Sequence, residues 1–281
     1  MSSWKVVGFI PELRLGDKIA LSAWKIAPLL HKSVIVNFCD LTARRLLQSS
    51  PLRRLERELK ESEATIISTV GSDDLLDELV VTRIHDTALK LGADWVITPD
   101  DYVYDSDIRY PFYQDSHFSR ALRRAIQLVT MARGQYGVIG LAIGSSTDQL
   151  QEFVRTLEEY GINDFAFACG DLLKQGKNPK RTIIEISNFV NHLRASKHSS
   201  LLLGIDSPRY LRLLAPDSWA SSSWSIDAAH QRYYANDGTK RKGRGVVCSH
   251  DFCKSGQVKG MELLGVHNLL ADENFLTLGR N

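Results

Sequence analysis

Four side chains near the C-terminus combine soft and borderline metal donors at close spacing: Cys248, His250, Cys253 and His267, in a C-x-H-x2-C-x13-H pattern. Thiolate sulfur and imidazole nitrogen are donors that Zn2+ prefers, and four protein donors leave no coordination position for a substrate. The pattern predicts a closed, structural Zn2+ site that staples the chain. Asp251 is a competing donor, and the other reading is two unrelated cysteines beside two surface histidines. Just upstream, residues 217–245 (DSWASSSWSIDAAHQRYYANDGTKRKGRG) carry Trp219 and Trp224, then Lys240, Arg241, Lys242 and Arg244 among glycines. Aromatics beside a basic loop suit stacking on bases and gripping phosphates; a solvated basic turn is the bland alternative.

Such groups need a scaffold. Short apolar, β-branched runs, KVVGFI (5–10), SVIVNF (33–38), ATIISTV (64–70), DWVITP (94–99), GVIGLAIG (137–144), DFAFACG (164–170) and SLLLGI (200–205), read as buried parallel strands. Amphipathic stretches at 73–92, 119–134, 149–161 and 182–196 read as helices between them, the second opened by Ser119 as its cap. The arginines from Arg44 to Arg57 read as a solvated helix face. Strand and helix alternating at this spacing imply right-handed crossovers and a parallel sheet. Roughly seven or eight such units predict an α/β fold closed as a (β/α)8 TIM-type barrel, with the zinc-binding element at its C-terminal end.

Chemistry in such a barrel sits at the C-terminal ends of the strands. That rule selects Asn37, Asp40, Asp100, Asp101, Gly144, Cys169, Gly170, Asp206 and the segment beginning at Asp217. Asp100 and Asp101 are adjacent carboxylates after a buried strand, suited to acid/base work, and Tyr102 follows them as a stacking group; a turn or cap is the alternative use.

With 281 residues, 43% of them hydrophobic and 24% charged, the chain suffices for one barrel with an appendage, divided at residues 1–235 and 236–281. Its four cysteines, Cys39, Cys169, Cys248 and Cys253, are too scattered for a disulfide framework and suit a reducing compartment. No apolar run approaches the roughly 20 residues that span a bilayer, and the first residues lack a signal-peptide core, so the expected location is the cytoplasm. A net charge of +2 leaves nucleic-acid binding to local patches. The oligomeric state stays open, a homodimer included.

Beyond these residue-level readings, Cys248, His250, Cys253 and the triplet His267-Asn268-Leu269 resemble the C-x-C-x2-C…HNL zinc element of the tRNA-guanine transglycosylases, with His250 at the middle cysteine. LGADWVITPDDY (91–102) resembles that family's base-recognition strand, residues 136–173 its Gly-Ser loop and following Gly-Leu strand, and residues 201–224 the segment of its nucleophile. The resemblance implies a barrel enzyme acting on a nucleobase, with Asp100 recognising the base. It also implies departures. Asn37 stands where the family has an acid/base aspartate, Ala220 where it has the attacking one, and the glutamine after the mid-chain strand is absent. These losses point away from ordinary base exchange and toward a glycosylase that removes a modified base, a role that fits defence against phage, with Asp100, Asp101, Asn37 and Asp217 as catalytic candidates. DNA is favoured over tRNA, since no additional RNA-binding domain is visible. Exchange of a 7-deazaguanine base into DNA or tRNA, and a catalytically inactive nucleic-acid-binding subunit, are the competing readings.

Overall fold

A computed structural model describes residues 4, 7–14, 17, 19–20, 22, 33–37, 57, 59, 61, 64–69, 80–101, 111–144, 147–170, 173, 179–235, 239–243 and 260–274. Eight parallel strands close in chain order: β1 (Gly8–Arg14), β2 (Ser33–Asn37), β3 (Thr65–Thr69), β4 (Trp95–Ile97), β5 (Gly137–Leu141), β6 (Asp164–Ala168), β7 (Ser199–Leu203) and β8 (Ser218–Ser221), with β8 pairing back onto β1. Helices α1 (Val80–Leu91), α2 (Pro111–Ala132), α3 (Thr147–Glu159), α4 (Pro179–Ala195) and α5 (Pro208–Leu214) follow β3 to β7 in turn. Beyond the barrel come α6 (Ser223–Ala229), an antiparallel hairpin of β9 (Arg232–Tyr234) and β10 (Lys240–Lys242), and α7 (Met261–Asn274). The α/β barrel expected from the alternating pattern is therefore the fold. Among the described residues no helix is long and apolar enough to cross a membrane.

Register decides which side chains the barrel encloses. Phe167 meets Phe189 of α4 at 5.4 Å between ring centroids, so it faces the helix layer. Its register partners Leu202, Trp219 and Phe9 face the same way, and the alternate residues point inward. The floor of the interior is Trp4 against Trp95, edge to face at 5.4 Å, with Trp4 Nε1 donating to Ser218 Oγ. Above lies an apolar layer built from Ile10, Ile35, Ile67, Ile97, Ile139 and Ala220, all buried. Each buried isoleucine contributes about 1.5–3 kcal/mol. The next inward positions toward the C-terminal rim are Glu12, Asn37 and Thr69.

Four local expectations differ. The first strand, Gly8–Arg14, runs past the expected end at residue 10, because it continues through Pro11 and two charged residues; residues 5 and 6 lie outside the described residues. Helix α2 begins at Pro111, a residue pre-set for the first helical turn, so Ser119 is mid-helix and not a cap. The serine-rich stretch at 218–221 is a full barrel strand. The boundary after residue 235 falls inside the β9–β10 hairpin, which joins both sides of it.

Candidate active site

At the top of the interior, Asn37 Nδ2 donates to Glu12 Oε1. Glu12 is half-buried, whereas Asn37 and Thr69 beside it are buried. The strand reaches this height because Pro11 does no damage. Gly8 N–H bonds Asp217 O on the β8 side, so by alternation the nitrogen of Pro11 faces β2, and pairing with β2 begins only at Glu12. Glu12 is a candidate that sequence reasoning missed. The available signal was a glutamate placed, at period two, on the same face as Ile10.

Four residues past β4, Asp101 is the centre of a charge cluster, its side chain fully enclosed (0% exposed). Arg120 donates to it through Nε and Nη2, both at 2.6 Å, and Arg124 Nη1 lies 3.7 Å away. His117 Nδ1 is 2.6 Å from Asp101 Oδ1 and 2.7 Å from Arg120 Nη2. An ionised carboxylate can only accept, so the Nδ1 proton belongs to Asp101, and the Nη2 hydrogen to the carboxylate as well. His117, Arg120 and Arg124 share one face of α2 at helical spacing. Burial opposes the charged form of Asp101, yet the Arg120 and His117 hydrogen bonds outweigh it and hold the carboxyl below its ordinary range. Such a group clamps α2 to the end of β4 and is a poor proton acceptor, which corrects its expected acid/base role. Neighbouring Asp100 is half-buried, and its Oδ1 accepts the Asp101 N–H at 2.7 Å.

The opposite arc is built by close backbone approach. A Cβ on Gly170 would lie 2.5 Å from Gly204 O, and Gly204 has φ +75°, so the turns after β6 and β7 meet through two glycines. Gly144 likewise lets the first turn of α3 approach, since a Cβ there would meet Gln149 and Leu150 within 3.0 Å. Cys169 is fully buried with its thiol donating to Leu203 O. These three positions thus serve packing between turns, and Cys169 in particular offers no surface to a substrate. Trp219 and Trp224 are buried to 1% and 0%, so neither is an exposed stacking platform: Trp219 packs on Phe9 at 6.0 Å, and Trp224 sits in α6 beneath α7. Ala220 is sealed inside the barrel. Asp217 precedes β8 and accepts from Ser200 N and Oγ at 2.9 and 2.8 Å. It therefore lies at the N-terminal rim, away from the mouth, and is not positioned for catalysis.

The hairpin is docked by charge. Lys240 Nζ is 2.6 Å from Asp206 Oδ2 and 2.8 Å from Asp227 Oδ2, and it stands over the Tyr234 ring at 5.2 Å. Burial works against its charge, but the two carboxylates keep the ammonium protonated beyond the usual lysine range. Tyr234 hydroxyl donates to Asp227 at 3.0 Å, and Arg232 pairs with Asp227 at 3.4 Å. Lys240 is accordingly held by two carboxylates of the fold, and it is exposed, as are Arg241 and Lys242.

Helix α7 carries His267 and Asn268, both buried. Asn268 accepts from Tyr234 N and donates to Trp224 O and Arg232 O, joining α7, α6 and β9. His267 Nε2 is 2.7 Å from Tyr234 O, a pure acceptor, so Nε2 carries a proton and Nδ1 is the nitrogen that would serve a metal. A carbonyl holding one ring nitrogen is the arrangement that orients a metal-ligating histidine. Cys248, His250, Cys253, Arg244, Tyr102 and Asp40 lie outside the described residues, and among those described no cluster of three metal-ligating side chains occurs.

A cavity of about 530 Å³ opens at the other end of the barrel, lined by Asp94, Trp95, Tyr136, Tyr160 and Asp164 among others. Its position at the strand N-termini separates it from the mouth.

No protein-family model matches the sequence, and no curated protein matches it. Two solved structures share the architecture. HMG-CoA lyase from Brucella melitensis is 11% identical over 79% of this chain and 83% of that one, with a TM-score of 0.53. The D17N tryptophan synthase α-subunit from Pyrococcus furiosus is 13% identical over 79% and 89%, with a TM-score of 0.50. At these identities the similarity concerns the fold.

Proposed function

We propose that this barrel cleaves an N-glycosidic bond, as a DNA glycosylase-type enzyme of the tRNA-guanine transglycosylase superfamily that flips out and removes a modified nucleobase, in defence against phage. The supporting observation is the make-up of the mouth: Glu12, Asn37 and Thr69 on β1 to β3 form a polar arc above the isoleucines, half-buried Asp100 follows β4, and Ala220 supplies no carboxylate. The transition state of glycosidic cleavage is oxocarbenium-like, so separate carboxylates can serve the sugar and the leaving group without a covalent intermediate. Ala220 and Asn37 favour attack by water over exchange through an aspartyl enzyme. In this reading Asp100 orients the extruded base or its departing nitrogen.

Zn2+ fits as a resident structural ion held by Cys248, His250, Cys253 and His267. The Tyr234 carbonyl presets the His267 ring for ligation through Nδ1, and bound Zn2+ would fix the segment after the hairpin. Metal analysis of purified protein should give one zinc per chain, and Cys253→Ser should lose metal and thermal stability together.

The function is tested by incubating the protein with duplex and single-stranded DNA, modified and unmodified, with and without free 7-deazaguanine base. Abasic sites in modified DNA are the expected product. Incorporated deazaguanine would establish exchange, and binding without either product would establish an inactive subunit; each overturns the glycosylase reading.

A further inference from the structure

We propose that the cavity at the strand N-termini binds a short-chain diammonium cation, with one ammonium at Asp94, the other at Asp164, and the alkyl chain between them against Trp95 and Tyr160. This site lies at the opposite end of the barrel from the mouth and does not depend on the reaction there.

At about 530 Å³ the cavity has the size of a small-molecule site, and part of its wall is aromatic. Gly137 admits the first ring: a Cβ there would lie 2.3 Å from Cε3 of Trp95, so the indole lies across the β5 backbone. Trp4 packs on the same ring, edge to face at 5.4 Å, and fixes it further. Trp95 stays half-buried, and it lines the cavity with its remaining surface. Tyr160, just past the end of α3 and 48% exposed, lines the cavity as well.

The charge around this space has one sign. Asp94 and Asp164 line it, and among the described residues that line it none is cationic. Helices α2 and α3 both end at it, through Ala132, Gly134, Tyr160 and Gly161, and a helix C-terminus carries partial negative charge. A concave site of one sign focuses its field and draws a ligand of the other. Asp94 Oδ2 accepts from Ile66 N at 2.8 Å, which leaves Oδ1 without a partner among the described residues. Asp164 is buried, and burial pushes its carboxyl above the ordinary value against the pull of Ser199, the Trp4 backbone and His198. A cation beside it would relieve that cost.

Separation selects the kind of cation. Asp94 precedes β4 and Asp164 opens β6, so β5 lies between them and their backbones stand at least two strand spacings, about 10 Å, apart. One chain with a charge at each end fits that gap. A bare metal ion fits less well, because among the described residues no three metal-ligating side chains cluster. Aromatic walls favour an organic cation, whose methylenes pack on the rings while its ammonium is drawn to their faces.

The test is isothermal titration of the full chain, without nucleic acid, with putrescine and with n-butylamine as the single-charge control, at constant ionic strength. Putrescine should bind once per chain and about tenfold or more tighter than n-butylamine, since its second ion pair forms within one bound molecule. It should also raise the melting temperature of the parent as its concentration rises. Asp94→Asn keeps an oxygen to accept the Ile66 N–H while removing the charge, and should weaken putrescine about tenfold. Tyr160→Ala removes an exposed wall and should weaken it several-fold with the fold retained. Absence of saturable putrescine binding overturns the site, as does parent-like affinity in both variants. Equal affinities for putrescine and n-butylamine overturn the two-carboxylate mode. If Asp94→Asn fails to fold, Tyr160→Ala decides alone, and parent-like affinity in it overturns the site.

Discussion

The two ends of this barrel use carboxylates differently. At the N-terminal end they are tied to the strands: Asp94 Oδ2 accepts from Ile66 N at 2.8 Å, and Asp217 Oδ2 from Ser200 N and Oγ. Asp164 is buried there, and burial pushes its carboxyl above the ordinary value against the pull of Ser199, the Trp4 backbone and His198. At the C-terminal end, apart from Asp100, the described carboxylates Glu12, Asp101, Asp206 and Asp227 answer to side chains on other elements: Asn37, α2 and, for the last two, the hairpin lysine. A carboxylate engaged by backbone holds a strand in place. One engaged by a side chain places a whole element, and can be exchanged or left partly accessible. A cavity of about 530 Å³ accompanies the first kind, so a cavity by itself is a poor guide to where chemistry occurs.

The largest expected effect comes from removing the most heavily paired mouth carboxylate. Asp101→Ala would strand two arginines and a histidine in a buried setting, and should cost about 3–5 kcal/mol in urea denaturation. Because the folded carboxyl titrates below its unfolded value, its contribution is complete above about pH 4 and disappears as pH falls through the lowered folded value. The parent should therefore lose stability on acidification more steeply than Asp101→Asn. Equal acid profiles would mean that the cluster does not hold α2.

Asn268→Ala should rank next, at about 3 kcal/mol, since three backbone groups lose a buried partner and each such loss costs about 1–3 kcal/mol before relaxation. Asp217→Ala should cost only about 1–2 kcal/mol, the value of unsatisfied groups at a wetter rim. It should leave abasic-site formation unchanged; a catalytic defect there would erase the distinction between the two ends. The smallest stability change, under about 0.5 kcal/mol, is expected for Arg241→Ala with Lys242→Ala, both exposed. If these two contact phosphates, the salt slope of DNA binding should fall by roughly two. An unchanged slope with an altered melting temperature would assign them to the fold.

Where the sequence pattern was strong, the barrel was legible. Residues 33–38, 64–70 and 164–170 are apolar on both faces because parallel strands are covered on both, and each contains the strand observed. Legibility failed where the barrel turns polar. Pro11 and Glu12 end the apolar run of β1 before the strand ends, which hid the carboxylate at its top. In β8 a serine stands at each end of the Trp219-Ala220 pair, Ser218 facing inward and Ser221 outward, so no apolar period-two signal marks the strand. Asp101 illustrates a different limit: its position at the mouth was readable, but its partners are 16 to 23 residues away on a helix that began earlier than its cap-like serine suggested. Burial of Trp219 and Trp224 was equally invisible, since a tryptophan's type does not say which side of a strand or helix it occupies.

The paired glycines between the turns after β6 and β7 carry a consequence for solvent exchange. Gly204 N–H bonds Ala220 O at 2.8 Å and Cys169 N–H bonds Leu203 O at 3.1 Å, which extends the ladder past the strand ends. With Gly170 and Gly204 in backbone contact, neither turn can lift without its neighbour. Deuterium should therefore enter the Gly204 amide only when β6, β7 and β8 open as one cooperative unit, which places this part of the rim among the slowest-exchanging sites of the molecule.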